Sequence, residues 1–119
     1  MKVAVTAKGT SLESEVDQRF GRAKYLIVVD TNTNEIDVHD NEVNLNAAQG
    51  AGIQTAQNLA GLGVSAVLTG HVGPNAFRTL LAAGIEAYTG LQGTVVDAIE
   101  EFKTGNLNPV DSADVEGHW

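Results

Sequence analysis

The order of hydrophobic patterns along this chain restricts the folds that it can adopt, and two neighbouring segments show two different strand patterns. The segment "YLIVVD" (Tyr25–Asp30) is almost continuously apolar, which is typical of a strand covered on both faces. The segment "EIDVHD" (Glu35–Asp40) instead alternates between apolar and polar residues, so that Asp37 and His39 share one face. Because a short Asn-rich loop joins the two segments, they are predicted to form an antiparallel hairpin with the second strand at the sheet edge.

Three helical segments follow, and the short apolar strands "SAVLTG" and "IEAYTG" separate them. The first helix is predicted at about residues 51–60. The second has Pro74 near its first position and Gly84 beyond its end, and the third has Thr94 as a cap with Asp97 three residues later. The residues predicted to face inward are Ile53, Ala56, Leu59 and Ala60, then Phe77, Leu80 and Leu81, and finally Val95, Ile99 and Phe102.

The order β-β-β-α-β-α-β-α predicts an α/β fold. Strands joined through helices should be parallel and connected by right-handed crossovers. We therefore expect a mixed five-stranded sheet with helices on both faces, in which the first strand, "VAVTA" (Val3–Ala7), is central. One further helical turn is predicted at Ser14–Gly21, because Ser14 can cap it and Gly21 can end it. A single domain is expected at residues 1–108, followed by an acidic tail at residues 109–119.

The net charge of -8 restricts the partners of the protein. Nonspecific binding to nucleic acid or to an anionic membrane needs basic surface and is disfavoured. The chain has no cysteine, which excludes disulfides and thiolate metal sites. Four of the seven basic residues (Lys8, Arg19, Arg22 and Lys24) fall in one stretch that also holds three acids, so a positive patch there depends on folding. No apolar run is long enough for a signal peptide or a membrane span, and a soluble cytoplasmic protein is expected.

The stretch "LTGHVGPNA" (Leu68–Ala76) is the first candidate site. In open α/β sheets, ligands bind at the carboxyl ends of strands. Here Gly70 and Gly73 let backbone amides approach a ligand, and the helix that begins at Pro74 favours an anion. His71 between them can donate a hydrogen bond or ligate a metal. The alternative is that the glycines only make the strand-to-helix turn and His71 is exposed.

Two other stretches are candidates. In "RFGRA" (Arg19–Ala23), the two arginines are three residues apart and can flank an anion, with Phe20 packed beneath them. The alternative is a solvated turn whose Phe20 belongs to the core. "NLNAAQGAG" (Asn44–Gly52) is a glycine-rich helix entrance with amide side chains, or else an ordinary crossover loop.

Catalytic residue sets are missing from the sequence. No serine lies in a nucleophile elbow, the three histidines are far apart, and "VAVTAKG" carries no carboxylate for a nuclease. We therefore interpret the protein as a binding module and not as an enzyme. A sensor or scaffold that binds a small anion or a partner protein is one alternative, and a hydrolase is another.

Several longer segments resemble one known family: "EVDQRFGRAKYLIVVD", "NAAQGAGIQTAQNLAGLGV", "AVLTGHVGPNAFRTLLAAGIEAY" and the closing "GHW". Together they resemble the dinitrogenase iron-molybdenum cofactor biosynthesis domain family, the NifX- and NifY-like group also found at the C-terminus of NifB. The resemblance covers about residues 1–105 and the end of the tail. It implies a ribonuclease H-like three-layer fold and a role in binding or carrying an iron–sulfur or iron–molybdenum cluster or its precursor. It also implies metallocofactor assembly proteins as partners.

The resemblance and the local patterns together identify candidate site residues. Without cysteine, the usual thiolate cage for a cluster is absent, so binding should be labile and the cluster must bring its own sulfides. On chemical grounds, His71 and His118 are the candidate metal ligands. The candidate cofactor-binding residues are Arg19, Phe20, Gly21, Arg22, Gly50, Gly52, Gly70, Gly73 and Asn75, and Ala76 is a further match to the family.

Overall fold

The computed structural model describes residues 1–42 and 50–113 of the chain. Five strands, three helices and one short 3-10 turn lie within these residues. None of the helices in this part is both long and apolar enough to cross a bilayer. The strands are β1 (Lys2–Ala7), β2 (Tyr25–Asp30), β3 (Ile36–Asp40), β4 (Ala66–Leu68) and β5 (Glu86–Tyr88). The helices are α1 (Ala51–Gly61), α2 (Pro74–Ala82) and α3 (Val95–Lys103), and a 3-10 turn spans Phe20–Arg22.

The five strands form one sheet in the order β3-β2-β1-β4-β5. β1 pairs antiparallel with β2 and parallel with β4. The outer pairs follow the same rule, since β3 is antiparallel to β2 and β5 is parallel to β4. A short loop at residues 31–35 joins the antiparallel strands β2 and β3, a long loop with the 3-10 turn joins β1 and β2, and a helical crossover joins the parallel strands β4 and β5. The predicted mixed sheet with β1 at its centre is confirmed.

Helices cover both faces of this sheet, which confirms the predicted α/β architecture and is compatible with a ribonuclease H-like fold. Adjacent residues of β2 alternate between the faces: Leu26 and Val28 face α1 and α2, and Ile27 and Val29 face α3. All four are buried, which explains why this strand is almost continuously apolar. The helices contribute to the two cores through Ala56, Leu59, Ala76, Phe77 and Leu80 on one face, and Val95, Ala98 and Ile99 on the other.

The segment before the 3-10 turn does not form the helical turn predicted at Ser14–Gly21. The Val16 amide donates to the Gly93 carbonyl at 2.9 Å, and the Asp17 amide donates to the Thr6 carbonyl at 2.8 Å. In a helix these amides would find carbonyl partners within the same segment. Because distant parts of the chain accept from them instead, the segment is extended and only Phe20–Arg22 turns.

Two of the residues predicted to face inward are exposed. Ala60 lies on the solvent side of α1, and Leu81 of α2 is 65% exposed. Successive helical residues differ by about 100° in direction, so the neighbours Leu59 and Leu80, both fully buried, leave these two outside the contact. The apolar stripe that the sequence shows on α1 and α2 is therefore wider than the face of each helix that packs in the core.

A buried polar cluster joins the end of the hairpin to α1. Asn41 is fully buried, and its side-chain amide donates to the Ala23 carbonyl at 2.8 Å and to Thr55 Oγ1 at 3.1 Å. Its backbone amide donates to the Lys24 carbonyl at 2.7 Å. Buried amides require such partners, because an unpaired one loses its hydration without compensation. The cluster thereby holds the chain between the 3-10 turn and β2 in place.

The residues after α3 return along the edge of the sheet. The Val110 amide donates to the Ala87 carbonyl at 2.8 Å, and Val110 and Ala113 pack against the core beneath α1 and α2. The first residues of the predicted acidic tail therefore lie against β5. Residues 114–119, which include His118, are outside the described part of the chain.

Candidate functional site

The carboxyl ends of β1 and β4 lie side by side and are covered by the chain itself. Thr6 Oγ1, near the end of β1, lies 2.8 Å from Thr69 Oγ1, just beyond β4. The same hydroxyl lies 2.8 Å from the Asp17 carbonyl oxygen. The loop after β1 and the turn after β4 meet at this edge of the sheet, and segment 15–20 occupies the crevice between them.

Segment 15–20 pairs with the chain that leaves β4. The His71 amide donates to the Gln18 carbonyl at 2.8 Å, and the Phe20 amide donates to the His71 carbonyl at 3.2 Å. A parallel bridge between Arg19 and His71 results. The expectation that the amides of this glycine turn grip a ligand is therefore wrong for His71, whose amide is used within the protein.

Gly70 permits this close pairing. A Cβ atom placed on Gly70 would lie 2.7 Å from both the Cα and the carbonyl oxygen of Gln18. Contacts that short with backbone atoms cannot be relieved by rotating a side chain. Gly70 is thus required for the close approach of two backbone segments.

Replacing Gly70 with alanine should lower the free energy of unfolding by about 1–3 kcal/mol, because the new methyl group pushes the Gln18 backbone outward. Urea unfolding followed by far-UV circular dichroism measures the loss. Gly61→Ala is the matched control: apart from its chain neighbours and the backbone of its own helix, no atom lies within 4 Å of its added Cβ, and its place in α1 makes alanine neutral or stabilising. If both variants unfold like the wild type, the packing role of Gly70 is wrong.

An open pocket of about 580 Å³ lies beside this pairing. The 3-10 turn shapes it: Phe20 and Ala23 are fully buried, whereas Arg19 and Arg22, also three residues apart, are exposed. Arg19 precedes the turn in an extended conformation and Arg22 is its last residue, and both line the pocket. The pocket is lined by Lys8, Asp17, Gln18, Arg19, Arg22, Lys24 and His71.

The lining is cationic although the protein as a whole is acidic. Four cationic side chains face one carboxylate, that of Asp17, whose Oδ1 accepts from the Arg19 backbone amide at 3.1 Å. Two of the cations have exposed acidic neighbours: Lys8 Nζ lies 3.6 Å from Glu15, and Lys24 Nζ lies 4.0 Å from Glu42. Exposed ion pairs of this kind are weak, so an incoming anion can compete for both lysines. The pocket should therefore attract anions despite the net charge of -8.

The structure brings only some of the predicted site residues together. Arg19, Arg22 and His71 line one pocket, although His71 lies 49 positions after Arg22 in the sequence. The Phe20 side chain is fully buried in the core and is not available to a ligand, which is the alternative stated for it above. Gly21 is buried beside it.

The remaining candidates lie elsewhere. Gly73 is a buried helix cap, and Asn75 on α2 accepts a hydrogen bond from Arg78 through its side chain. Gly50 has a φ of 98° and precedes α1. Among the described residues, the pocket lining does not include Gly50, Gly52, Gly70, Gly73, Asn75 or Ala76. His118 and most of the "NLNAAQGAG" stretch lie outside the described residues.

Two lysines, Lys8 and Lys24, were not among the predicted site residues. The signal for them was present in the sequence, since four of the seven basic residues fall between Lys8 and Lys24. Gln18 was also missed, and its side-chain amide donates to the Leu91 carbonyl at 2.9 Å, so it ties the pocket wall to the loop after β5. Only the packing of distant segments identifies that role.

The chemistry of the site suits an anion better than a bare metal ion. No group of three or more histidine, aspartate or glutamate side chains converges on one point within residues 1–42 and 50–113. His71 is one imidazole among cations, and cations repel a metal ion. A ligand that brings its own negative charge matches this lining.

Comparisons with known proteins agree with one another. The model of the family described as "Dinitrogenase iron-molybdenum cofactor" matches residues 1–105. The structure of the apo form of the orange protein from Desulfovibrio gigas has a TM-score of 0.93 and 41% identity, and the match covers 96% of each chain. A candidate NifB protein of the DUF35 family from Thermotoga has a TM-score of 0.83 and 38% identity over 98% of each chain. An uncharacterised protein of Methanocaldococcus jannaschii is 26% identical over 110 residues, covering 90% of this chain and 89% of that protein.

Proposed function

The chain belongs to the dinitrogenase iron-molybdenum cofactor family, and from that membership we propose that it binds or carries a metal–sulfur cluster in metallocofactor assembly. The cargo would be an iron–sulfur or iron–molybdenum cluster, or a precursor of one. The observation that carries the proposal is the cationic pocket formed by Lys8, Arg19, Arg22, Lys24 and His71. In this view the protein is a cytoplasmic carrier or scaffold that meets other assembly proteins, and it catalyses no reaction.

The pocket and a preassembled cluster fit each other chemically. Sulfide-rich clusters are anionic, and guanidinium groups are strong, multidentate donors to anions. Arg19 and Arg22 supply such donors to the pocket, and the two lysines add positive charge. His71 can donate to a sulfide or ligate a metal through its imidazole.

Weak, mostly ionic binding also suits a carrier. The chain has no thiolate that would have to be displaced when the cluster is passed on. Exposed charges hold an anion through interactions that salt screens and that a partner protein can replace. The cargo could then leave without the breaking of several metal–protein bonds.

The test is anaerobic addition of iron salts and sulfide, with and without molybdate, to the purified protein. We expect a visible charge-transfer absorbance that elutes with the protein in gel filtration and decreases as salt is raised. Absence of any protein-bound colour under all these conditions would contradict cluster carriage.

His71→Ala should weaken this binding by about tenfold, because one hydrogen bond to a charged group or one metal ligand is lost. The affinity is measured by titrating the coloured species into each protein, with His39→Ala as a control because His39 lies on β3, away from the pocket. Equal affinities in the wild type and His71→Ala would remove His71 from the site.

A small-anion or partner-binding scaffold is the second candidate function, and the same cationic lining favours it. Calorimetric titration with phosphate, molybdate and nucleotides, in the absence of iron and sulfide, separates the two. Saturable binding of these anions that is as tight as that of the metal–sulfur species would favour the scaffold. Much weaker binding of them would favour the cluster carrier.

A further inference from the structure

The outer edge of β3 has backbone groups that point away from the sheet. In the ladder with β2, the Asp30 amide donates to the Glu35 carbonyl and the Asn41 amide donates to the Lys24 carbonyl. Hydrogen-bonded pairs alternate along an antiparallel ladder, so the odd-numbered residues of β3 bond to β2. The backbone groups of residues 36, 38 and 40 therefore point outward. Within the described ranges, no strand lies beyond β3.

The side chains of this edge strand form two different faces. Ile36 and Val38 pair with Val29 and Ile27, so they lie on the α3 face of the sheet, where they are 44% and 41% exposed. Asp37 and His39 lie on the opposite face. An unpaired edge strand with exposed apolar side chains is a template for pairing with another strand.

We propose that a second copy of this chain pairs with β3 in antiparallel orientation, about a two-fold axis at Val38. The two chains would then form one continuous sheet. In this register Val38 pairs with its own symmetry mate and Ile36 pairs with Asp40, so all the outward backbone groups of β3 form hydrogen bonds. Asp37 lies directly opposite His39, and symmetry makes this pair occur twice.

Charge complementarity selects this register. Because the outward residues are even-numbered, the neighbouring registers are centred on residue 37 or on residue 39. These would place Asp37 opposite Asp37, or His39 opposite His39, at the closest cross-strand spacing. Like groups in that position are unfavourable, whereas an imidazole N–H donates readily to a carboxylate. Only the register centred on Val38 also uses the full length of β3.

The apolar face supports the same arrangement. Around the two-fold axis, Val38 and its symmetry mate are direct neighbours, and each Ile36 lies on the diagonal from the Val38 of the partner. The four half-exposed β-branched side chains would cover one another. An isologous interface of this kind is closed, because a two-fold axis uses the same edge on both copies and leaves no second β3 edge for further growth.

The test is the oligomeric state of the full chain, measured by sedimentation velocity and by light scattering coupled to gel filtration over a wide concentration range. We expect a reversible monomer–dimer equilibrium. The single variants His39→Asp and Asp37→His should each weaken the dimer by about tenfold or more, because each places like groups opposite one another. The double variant Asp37→His/His39→Asp restores the complementary pairs and should return the dissociation constant to near the wild-type value. It has the same composition as the wild type, so its net charge is unchanged.

Val38→Pro is a second, independent variant. It removes an outward amide and leaves the β2–β3 ladder intact, so the protein should stay folded by circular dichroism and become monomeric. A wild-type protein that is monomeric at every concentration would overturn the proposal. A dimer that survives both His39→Asp and Val38→Pro would also overturn it, because that dimer must use another surface. Neither result affects the proposed cluster binding, which depends on different residues.

Discussion

Replacing both Arg19 and Arg22 with glutamine should weaken the binding of an anionic metal–sulfur cluster by about 100-fold. A hydrogen bond between charged groups contributes about 1.5–3 kcal/mol, and solvent screening at this exposed pocket reduces it to about 1.4 kcal/mol, or tenfold, for each arginine. The affinity is measured by anaerobic titration of the protein with the coloured species at low ionic strength. The difference between variant and wild type should shrink as salt is added.

The control is a double variant with the same change in net charge. Lys2→Gln/Arg78→Gln also removes two positive charges, but neither residue lines the pocket: Lys2 begins β1, and Arg78 is on α2. It should keep an affinity within about threefold of the wild type, because only screened, long-range attraction changes. Equal losses in the two double variants would mean that the protein attracts the cluster only through its overall charge, and the pocket would lose its role.

Phe20→Ala should lower the free energy of unfolding by about 3–5 kcal/mol. Phe20 is completely buried and contacts the core formed by β2, α1 and α2, so the substitution removes a large apolar side chain and leaves a cavity. Urea unfolding followed by far-UV circular dichroism gives the loss. This is the largest effect on stability that we expect from one residue near the pocket.

The conservative substitution separates stability from binding. Phe20→Leu keeps most of the buried surface, so it should cost less stability and leave the affinity for the cluster close to that of the wild type. A variant Phe20→Leu that is stable but no longer binds would show that the aromatic ring contacts the ligand. That outcome would restore the role that the sequence suggested for Phe20.

Local signals predicted the helices and strands well where the partners of the backbone are also local. The cap of α3 is one case: the Thr94 hydroxyl accepts from the Asp97 amide, and the Asp97 side chain accepts from the Thr94 amide. The boundaries of α2 are another, since Pro74 begins it and Gly84, with a φ of 74°, follows its end. Each signal acts within a few residues, so the sequence displays it directly.

Segment 14–21 shows where such signals fail. Its serine and glycine are typical of a short helix, yet its amides bond to Thr6 and Gly93, which belong to other parts of the fold. The contacts that decide its conformation are long-range, and no local propensity outweighs them. The packing requirement at Gly70 could not be predicted for the same reason, because the atoms that require a glycine there belong to Gln18.

By itself, the sequence determined the order of elements, the mixed sheet with a central first strand, the lack of thiolate ligands and the candidacy of Arg19, Arg22 and His71. Hydrophobic periodicity, helix caps and amino-acid composition give these results, and none of them requires knowledge of the tertiary contacts. Only the tertiary structure decided that these three residues share one pocket with Lys8 and Lys24, and that Phe20 supports it from the core. The physical reason is the pairing of segment 15–20 with the chain that leaves β4. That contact joins residues far apart in sequence, and it exists only once the sheet has formed.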